Sequence, residues 1–398
     1  MEDRGIAVDS SFLRGLASEV DAKIKTLTKK IHTAAGEEFN IASPKQLSHI
    51  LFEKLALVTR GLRKTAKGGV ISTRESELTK LRAAHPIISD ILDHRELAKI
   101  KSTYVDVLPG LVDAKTGRLH TTFNQVGTAT GRLSSLNPNL QNIPILSEIG
   151  RTIRKAFVAG AWYALVSFDY SQIELRVAAH MAGDQKMIAA FQQEQDIHRM
   201  TASEVFNVPL DAVTPELRRA AKTLNFGVLY GMGASALSEG ADMSRDDAHR
   251  FIEEYFHDFS GIREYVEKTK QFAREHGFVE SLFGRRRYIT DINAANQRVR
   301  SEAERMAVNM PIQATATGDI IKMAMIAVDA WVRKENLQDD VRLLLQVHDE
   351  LVFEIKKDKV AVLAPKIKAI MESATELKVP LVVDVKSGPN WGEQKIIL

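Results

Sequence analysis

The sequence predicts an α+β fold in which one mixed sheet is assembled from two distant stretches of chain, with a helical block inserted between them. Three observations carry this. The stretch "YALVSFD" alternates as a strand, sending Ala164, Val166 and Phe168 to one face and Leu165, Ser167 and Asp169 to the other. From Ser171 to about Asp329 helical patterns dominate. Strands then return at Val341 to Val347, at Leu351 to Ile355 and in "VPLVVDVKSG". Strands on both sides of a long helical run read as one sheet completed late in the chain.

Ahead of the first strand, the chain is helical by pattern from about Ser10 to Lys101, as in "FLRGLASEVDAKIKTLTKKIHTAAG". Gly68-Gly69 and the basic residues around it interrupt this run as an exposed loop, and residues 104–150 are turn-rich and irregular. A length of 398 residues allows two or three packed units, and 44% hydrophobic with 26% charged residues is ordinary for a globular chain. No stretch approaches the ~20 apolar residues of a membrane helix, and no signal peptide opens the chain. The absence of cysteine excludes disulfides and thiolate metal sites and fits a reducing interior.

The net charge of +3 says little by itself. Its distribution says more, because basic residues gather at Arg60, Arg63, Lys64 and Lys67, at Arg95, Lys99 and Lys101, at Arg151 to Lys155, and at Arg285 to Arg287. Any one patch is best read as a solvated face. Several together mildly favour a surface that follows nucleic acid.

Three constellations could carry chemistry. In "LLLQVHDELVFEI", Leu351, Phe353 and Ile355 share a face by period two, which leaves His348, Asp349 and Glu350 in a tight connection between strands. Adjacent acids on a stiff hairpin can reach a hard cation, and oxygen ligands suit Mg²⁺. In "FDYSQIELRVAAHMAGD", Ser171 and Glu174 match a capping box, which explains Glu174 structurally. Asp169 has no such explanation. It ends a strand beside a helix start, where sheet proteins place their sites, and it could converge with Asp349 on one or two metal ions.

The third constellation is "TPELRRAAKTLNFGVLYGMG", capped by Thr214 with Pro215 in the first turn. Leu217, Ala221, Leu224 and Val228 fall on one helical face, and Arg218, Lys222, Phe226 and Tyr230 on another. Two cations suit a triphosphate, and two rings suit a base or sugar. A solvated amphipathic face would account for the cations but not for the rings.

In this order, "DYSQIELR", "RRAAKTLNFGVLYG" and "QVHDELVFE" closely resemble the three polymerase motifs of the family A (DNA polymerase I-like) DNA polymerases. "TATGRLSS", "QNIP", "HPII", "KSTY" and "FGRRRY" also look like that family, so the resemblance covers essentially the whole chain. It implies an α+β right hand with a mixed or antiparallel palm sheet. The thumb would be 1–105 with a short N-terminal palm segment, the palm 106–180 and 315–398, and the helical fingers 181–314.

The implied activity is DNA-directed DNA polymerisation, adding deoxynucleotides to a primer 3′-hydroxyl with release of pyrophosphate. By resemblance Asp169 and Asp349 hold two Mg²⁺ ions, for which Mn²⁺ would substitute, assisted by the Tyr170 carbonyl. Glu350 is a weaker ligand candidate, better suited to support from behind. Arg218 and Lys222, with His198, would grip the triphosphate, and Gln172 shares that pocket. Phe226 would pack on the sugar and Tyr230 near the template. Glu174 would also act as a steric gate against a ribose 2′-hydroxyl.

Arg132, Asn309, Gln313 and His348 resemble residues that touch the primer–template minor groove, where acceptors common to all pairs report geometry rather than sequence. Lys99, Lys101 and Arg285 to Arg287 are equally suited to the DNA backbone and to internal ion pairs. The partners implied are primer–template DNA and deoxynucleoside triphosphates, with no membrane and a monomeric protein. The expected location is a bacterial or phage-like cytoplasm, or an organelle after processing, and not outside the cell.

Departures from the family pattern are few. The chain opens almost at the start of the polymerase region, ahead of which the family usually has an exonuclease-like region, so proofreading is not expected from these residues. "QATATGD" is one residue longer than the usual run after the minor-groove glutamine, which predicts a disturbed helix register near Thr317. Leu146 stands where many relatives have a basic residue, and "GEQKIIL" runs slightly past the usual end. A single-subunit RNA polymerase would share the architecture, but Glu174 and Phe226 argue for a pocket that excludes ribose. A DNA-binding scaffold without catalysis would not need both aspartates and both cations. A P-loop phosphotransferase is disfavoured, since no G-x-x-x-x-G-K-[ST] run occurs.

Overall fold

Five strands form the central sheet of the computed structural model, which describes residues 1–59, 61–65, 69–144, 147–241 and 243–398. Arg60, Lys67, Gly68 and Leu146 lie outside the described residues. The strands are β1 (Tyr163–Tyr170), β2 (Val341–Val347), β3 (Glu350–Lys356), β4 (Val383–Gly388) and β5 (Lys395–Ile396), in the spatial order β5-β4-β1-β3-β2. The two distant stretches therefore do share one sheet, with β1 at its centre.

Of the two pairings expected, mixed or antiparallel, the sheet has the antiparallel one. Every neighbouring pair is antiparallel, because β3 is hairpin-bonded to β2 and both β3 and β4 run against β1. Between β3 and β4 the chain crosses over through the helix Val360–Glu372.

The period-two alternation of β1 survives in a modified form. Val166, Phe168 and Tyr170 enter a core shared with the helical block, and Phe168 meets Phe353 edge to face at 5.3 Å. Leu165 enters a second core with Ile6, Leu13, Leu119 and Phe157. Both sheet faces are thus covered, so the pattern records which core a side chain joins rather than whether it is buried. A short N-terminal strand, Ile6–Val8, pairs with Arg118–Leu119 and Phe157–Val158, and so belongs with the sheet region.

The N-terminal helices have their own core. Helix α1 (Ser10–Ala35) is capped by Asp9, whose Oδ1 accepts from the Ser11 and Phe12 amides, and it ends at Gly36 with φ of +72°. Helix α2 (Pro86–Ile100) packs against it, and Ile31, Leu47, Leu51, Leu78, Ile87 and Ile91 fill the space between them and the shorter helices.

In the helical block, the elements that bear on the site are α3 (Ile173–Ala182), α4 (Ile197–Val205), α5 (Pro215–Leu229) and α6 (Gln297–Gln313). As predicted, Thr214 caps α5 by accepting from the Leu217 amide, with Pro215 in its first turn. Over "ATATGD" the helix widens into a π-helical turn, Ala314–Ile320, between α6 and α7 (Ile321–Lys334). All seven residues of that turn are buried. Widening the helix over this stretch shifts its register, and Thr317 lies within it.

Candidate active site

The β2–β3 connection contains only His348 and Asp349, and His348 takes a φ of +55°. The three-residue tip read from the sequence is therefore corrected. Glu350 is already the first residue of β3, opposite both Val347 and Asp169. A tight two-residue turn forces one residue into the left-handed region, and the neighbouring chain stabilises it. Gln346 Nε2 donates to the His348 carbonyl at 2.5 Å, and Gln141 Nε2 donates to Gln346 Oε1 at 2.9 Å.

Asp169 sits between Glu350 on β3 and Asp384 on β4, each its register partner, and the Tyr170 amide donates to the Asp349 carbonyl at 3.1 Å. Directly opposed residues lie about 5 Å apart, so the acids crowd one end of the sheet. The consequence is electrostatic. Burial, followed by the charges of Asp349 and Glu350, pushes the Asp169 carboxyl up to about 7, with Lys386 opposing and Asp384 adding. Asp349 is also pushed up, chiefly by burial, with Glu350 adding and His348 and Arg132 opposing.

Such repulsion is what a bound cation relieves. Among the described residues, no three His, Asp or Glu side chains are disposed to hold a metal unaided. Two carboxylates and the Tyr170 carbonyl could supply oxygen ligands to a hard cation such as Mg²⁺, with water filling the rest of its shell. Glu350 has another tie, since one of its oxygens accepts from Trp391 Nε1 at 3.2 Å, and Arg154 stacks on Trp391 at 3.9 Å.

Glu174 brings the second correction. The residue that enters α3 is Gln172, in the left-handed region with φ of +55° and without a side-chain cap. Ser171 is one position too early to cap, and its amide already donates to the Val382 carbonyl at 2.8 Å. The capping box does not form. The Glu174 carboxylate instead pairs with Arg132 Nη2 at 2.6 Å, while Arg132 Nε donates to Thr317 Oγ1 at 2.5 Å. Burial pushes the Glu174 carboxyl up, Arg132 opposes this and Asp349 adds to it, which places Glu174 beside the acid cluster.

The polar face of α5 forms a second group. Arg218 Nε pairs with Asp196 Oδ2 at 2.5 Å. His198 is buried beside it, and Asn225 Nδ2 donates to His198 Nδ1 at 3.0 Å. That donation leaves the imidazole proton on Nε2, which is buried without a partner. Burial pushes the His198 ring down to about 4, with Asp196 opposing and Arg218 and Lys222 adding. Lys222 is exposed. Ring centroids lie 5.8 Å apart for His198 and Phe226, and 6.0 Å for Phe226 and Tyr230.

Gln172 Oε1, His198 Nε2, Tyr230 Oη and Asn309 Oδ1 are all buried without a hydrogen-bond partner.

Lys99 and His348 line one cleft of about 850 Å³ together with Arg82, Tyr104 and Gln141. Lys101 serves an internal role, pairing with Asp106 at 2.6 Å and Asp21 at 3.5 Å. Arg285 pairs with Asp319 at 2.8 Å and Arg286 with Glu280 at 2.9 Å. Gln313 ends α6, where its carbonyl accepts from Thr317 Oγ1 at 3.0 Å.

Sequence reasoning missed Asp196, Asn225, Asp384 and Thr317. Asn225 was within reach, because seven residues from Arg218 returns to within about 20° of the same helical face. Asp196 carried only a helix-cap signal, which it fulfils by accepting from the His198 and Arg199 amides.

The chain is similar to known proteins over nearly its whole length. The model for "DNA polymerase family A" matches residues 10–393. The chain is 50% identical over 391 residues to DNA polymerase I, thermostable, of Thermus thermophilus, covering 98% of this chain and 46% of that protein. It is 50% identical over 395 residues to DNA polymerase I of Deinococcus radiodurans, covering 99% of this chain and 41% of that one. The chain thus spans less than half the length of these relatives. The solved POL domain of Pol1 from M. smegmatis, in complex with DNA primer-template and dNTP, superposes with a TM-score of 0.91 at 42% identity, over 98% of this chain and 67% of that one. The right-hand polymerase architecture and the ordered motifs thus have one source: the chain belongs to DNA polymerase family A.

Proposed function

We propose that these residues catalyse template-directed extension of a DNA primer with deoxynucleoside triphosphates, releasing pyrophosphate. One observation carries the reading: Asp169 and Asp349 lie at the same end of neighbouring strands in a crowded acid cluster that asks for cations. The similarity to a polymerase domain complexed with primer-template and dNTP supplies the substrate classes.

Asp169, Asp349 and the Tyr170 carbonyl would hold two Mg²⁺ ions, which when bound would supply the charge that makes the primer 3′-hydroxyl more acidic and offsets that of the leaving pyrophosphate. The remaining work falls to positioning and charge. Arg218, Lys222 and the Nε2–H of His198 hold the triphosphate, and Gln172 offers its unpartnered amide oxygen in the same pocket. Phe226 packs on the sugar, Glu174 blocks a 2′-hydroxyl, and Tyr230 stacks near the template base. Arg132, Asn309, Gln313 and His348 face the minor groove of the primer terminus, and Lys99 reaches the backbone from its cleft. Glu350 and Asp384 add negative charge behind the two aspartates.

In this reading residues 1–105 form the thumb with a short N-terminal palm strand, 106–180 and 315–398 the palm, and 181–314 the fingers. The separate core of the N-terminal helices and the pairing of Ile6–Val8 with the sheet region support that division. A primed template with Mg²⁺ and either deoxy- or ribonucleotides, tested beside Asp349→Ala, decides the matter. Deoxynucleotide extension that the variant abolishes supports the proposal. DNA binding without extension would leave a scaffold, and efficient ribonucleotide synthesis from a promoter would leave an RNA polymerase.

A further inference from the structure

We propose that Thr317, on the π-helical turn, is a positioning residue for sugar discrimination, acting on Glu174 through Arg132. The inference rests on the proposed reading of Glu174 as the group that blocks a 2′-hydroxyl. Thr317 itself lies outside the residues assigned to substrate.

The geometry is a three-member relay. The Thr317 hydroxyl donates its only proton to the Gln313 carbonyl at 3.0 Å. Its oxygen is therefore left as an acceptor, and it faces Arg132 Nε at 2.5 Å. The guanidinium is planar, so fixing Nε also fixes the plane in which Nη2 meets Glu174 Oε1 at 2.6 Å. Thr317 is buried and Glu174 nearly so, whereas the Arg132 side chain is 38% exposed. A long, half-exposed cation holds one orientation only when a rigid group holds it. The relay supplies that group.

The π-helical turn explains how Thr317 reaches this position. The wider turn runs against the loop that carries Arg132, and Gly318 lies so close to it that an added Cβ would sit 2.3 Å from the Thr130 carbonyl. Other polar side chains of the turn anchor it independently of Arg132. Thr315 Oγ1 accepts from the Leu282 amide at 2.8 Å, and Asp319 accepts from Ser281 at 2.7 Å and pairs with Arg285. The turn is thus a fixed platform, and Thr317 is its contact with the nucleotide pocket.

Thr317→Val keeps the shape and removes the hydroxyl, and Thr317→Ser keeps the hydroxyl. Single-nucleotide incorporation at saturating primer–template should be measured for both, and for Glu174→Ala and the Glu174→Ala/Thr317→Val double variant. The expected result for Thr317→Val is a loss of about ten-fold in the dNTP-to-rNTP ratio of kcat/KM, through better rNTP use. Thr317→Ser should restore the ratio, and the double variant should match Glu174→Ala alone, because residues acting in series do not add. A wild-type ratio in Thr317→Val, while Glu174→Ala lowers it, overturns the relay but leaves the functional reading intact. Failure of the wild-type chain to extend a primer, or no effect of Glu174→Ala, removes the reading and this inference with it. Should Thr317→Val fold poorly, Thr317→Ala against Thr317→Ser makes the same comparison.

Discussion

The Tyr170 amide donates to the carbonyl of Asp349 across the β1–β3 pair, at 3.1 Å. One hydrogen bond thereby ties the backbone next to Asp169 to that of the second acid, although the two aspartates are far apart in sequence. The hairpin turn holds Asp349 and the end of a central strand holds Asp169. Neither position can drift without breaking main-chain pairing, which is the rigidity a shared metal site needs.

Crowding of these acids makes the metal-free protein sensitive to pH. The folded Asp169 carboxyl binds its proton more tightly than the unfolded one, with its pKa raised from 3.8 to about 7. Stability therefore falls as pH rises through that interval and stays low above it. Asp169→Asn should reduce this slope, leaving the part due to Asp349 and Glu174, and, in chelator at pH 8, melt later than wild type by roughly 2 kcal/mol of stability. Millimolar Mg²⁺ should restore much of the difference to the wild type and leave the variant unmoved. Thermal melts at pH 5 and pH 8, with and without Mg²⁺, check both statements.

Arg218 is paired with Asp196 through Nε, which fixes the plane of its fork, and in the proposed reading that fork meets a triphosphate. Arg218→Ala should lower kcat/KM for deoxynucleotides by about 10- to 100-fold. Arg218→Lys should recover little of it, because an ammonium cannot reproduce the planar fork. Steady-state kinetics at fixed Mg²⁺ measure this.

Phe226 lies between His198 and Tyr230 with no polar atom of its own. Phe226→Tyr adds a hydroxyl where the sugar is expected to pack. It should relax discrimination against dideoxynucleotides by roughly ten-fold or more, the worth of one good hydrogen bond. Competitive incorporation of deoxy- and dideoxynucleotides gives the ratio directly, and equal ratios before and after the change would refute the assignment.

Much of this was legible in the sequence, for identifiable reasons. The alternation of Tyr163–Tyr170 and the helical face of Arg218, Lys222, Phe226 and Tyr230 are short-range patterns, and the chain kept both. What failed depended on backbone turns or distant partners. The capping box at Ser171 looked complete by spacing, yet a left-handed Gln172 moved the helix start by one residue. Thr317 and Arg132 are separated by 185 residues, a distance no local pattern bridges. Basic patches were the least informative signal. Arg95 donates to the Thr73 carbonyl, Arg154 covers Trp391, and Lys101 and Arg285 are held by acids. Composition counts such charges as surface, whereas the fold ties them to acids, a carbonyl and a ring.

The most direct measurement is anomalous diffraction at the manganese edge from crystals of the protein with primer–template, an unreactive deoxynucleotide analogue and Mn²⁺. Two peaks between the carboxylates of Asp169 and Asp349, with at least one lost in Asp349→Ala, are the predicted result. Peaks elsewhere, or no metal at these two side chains while the analogue is bound, would contradict the account.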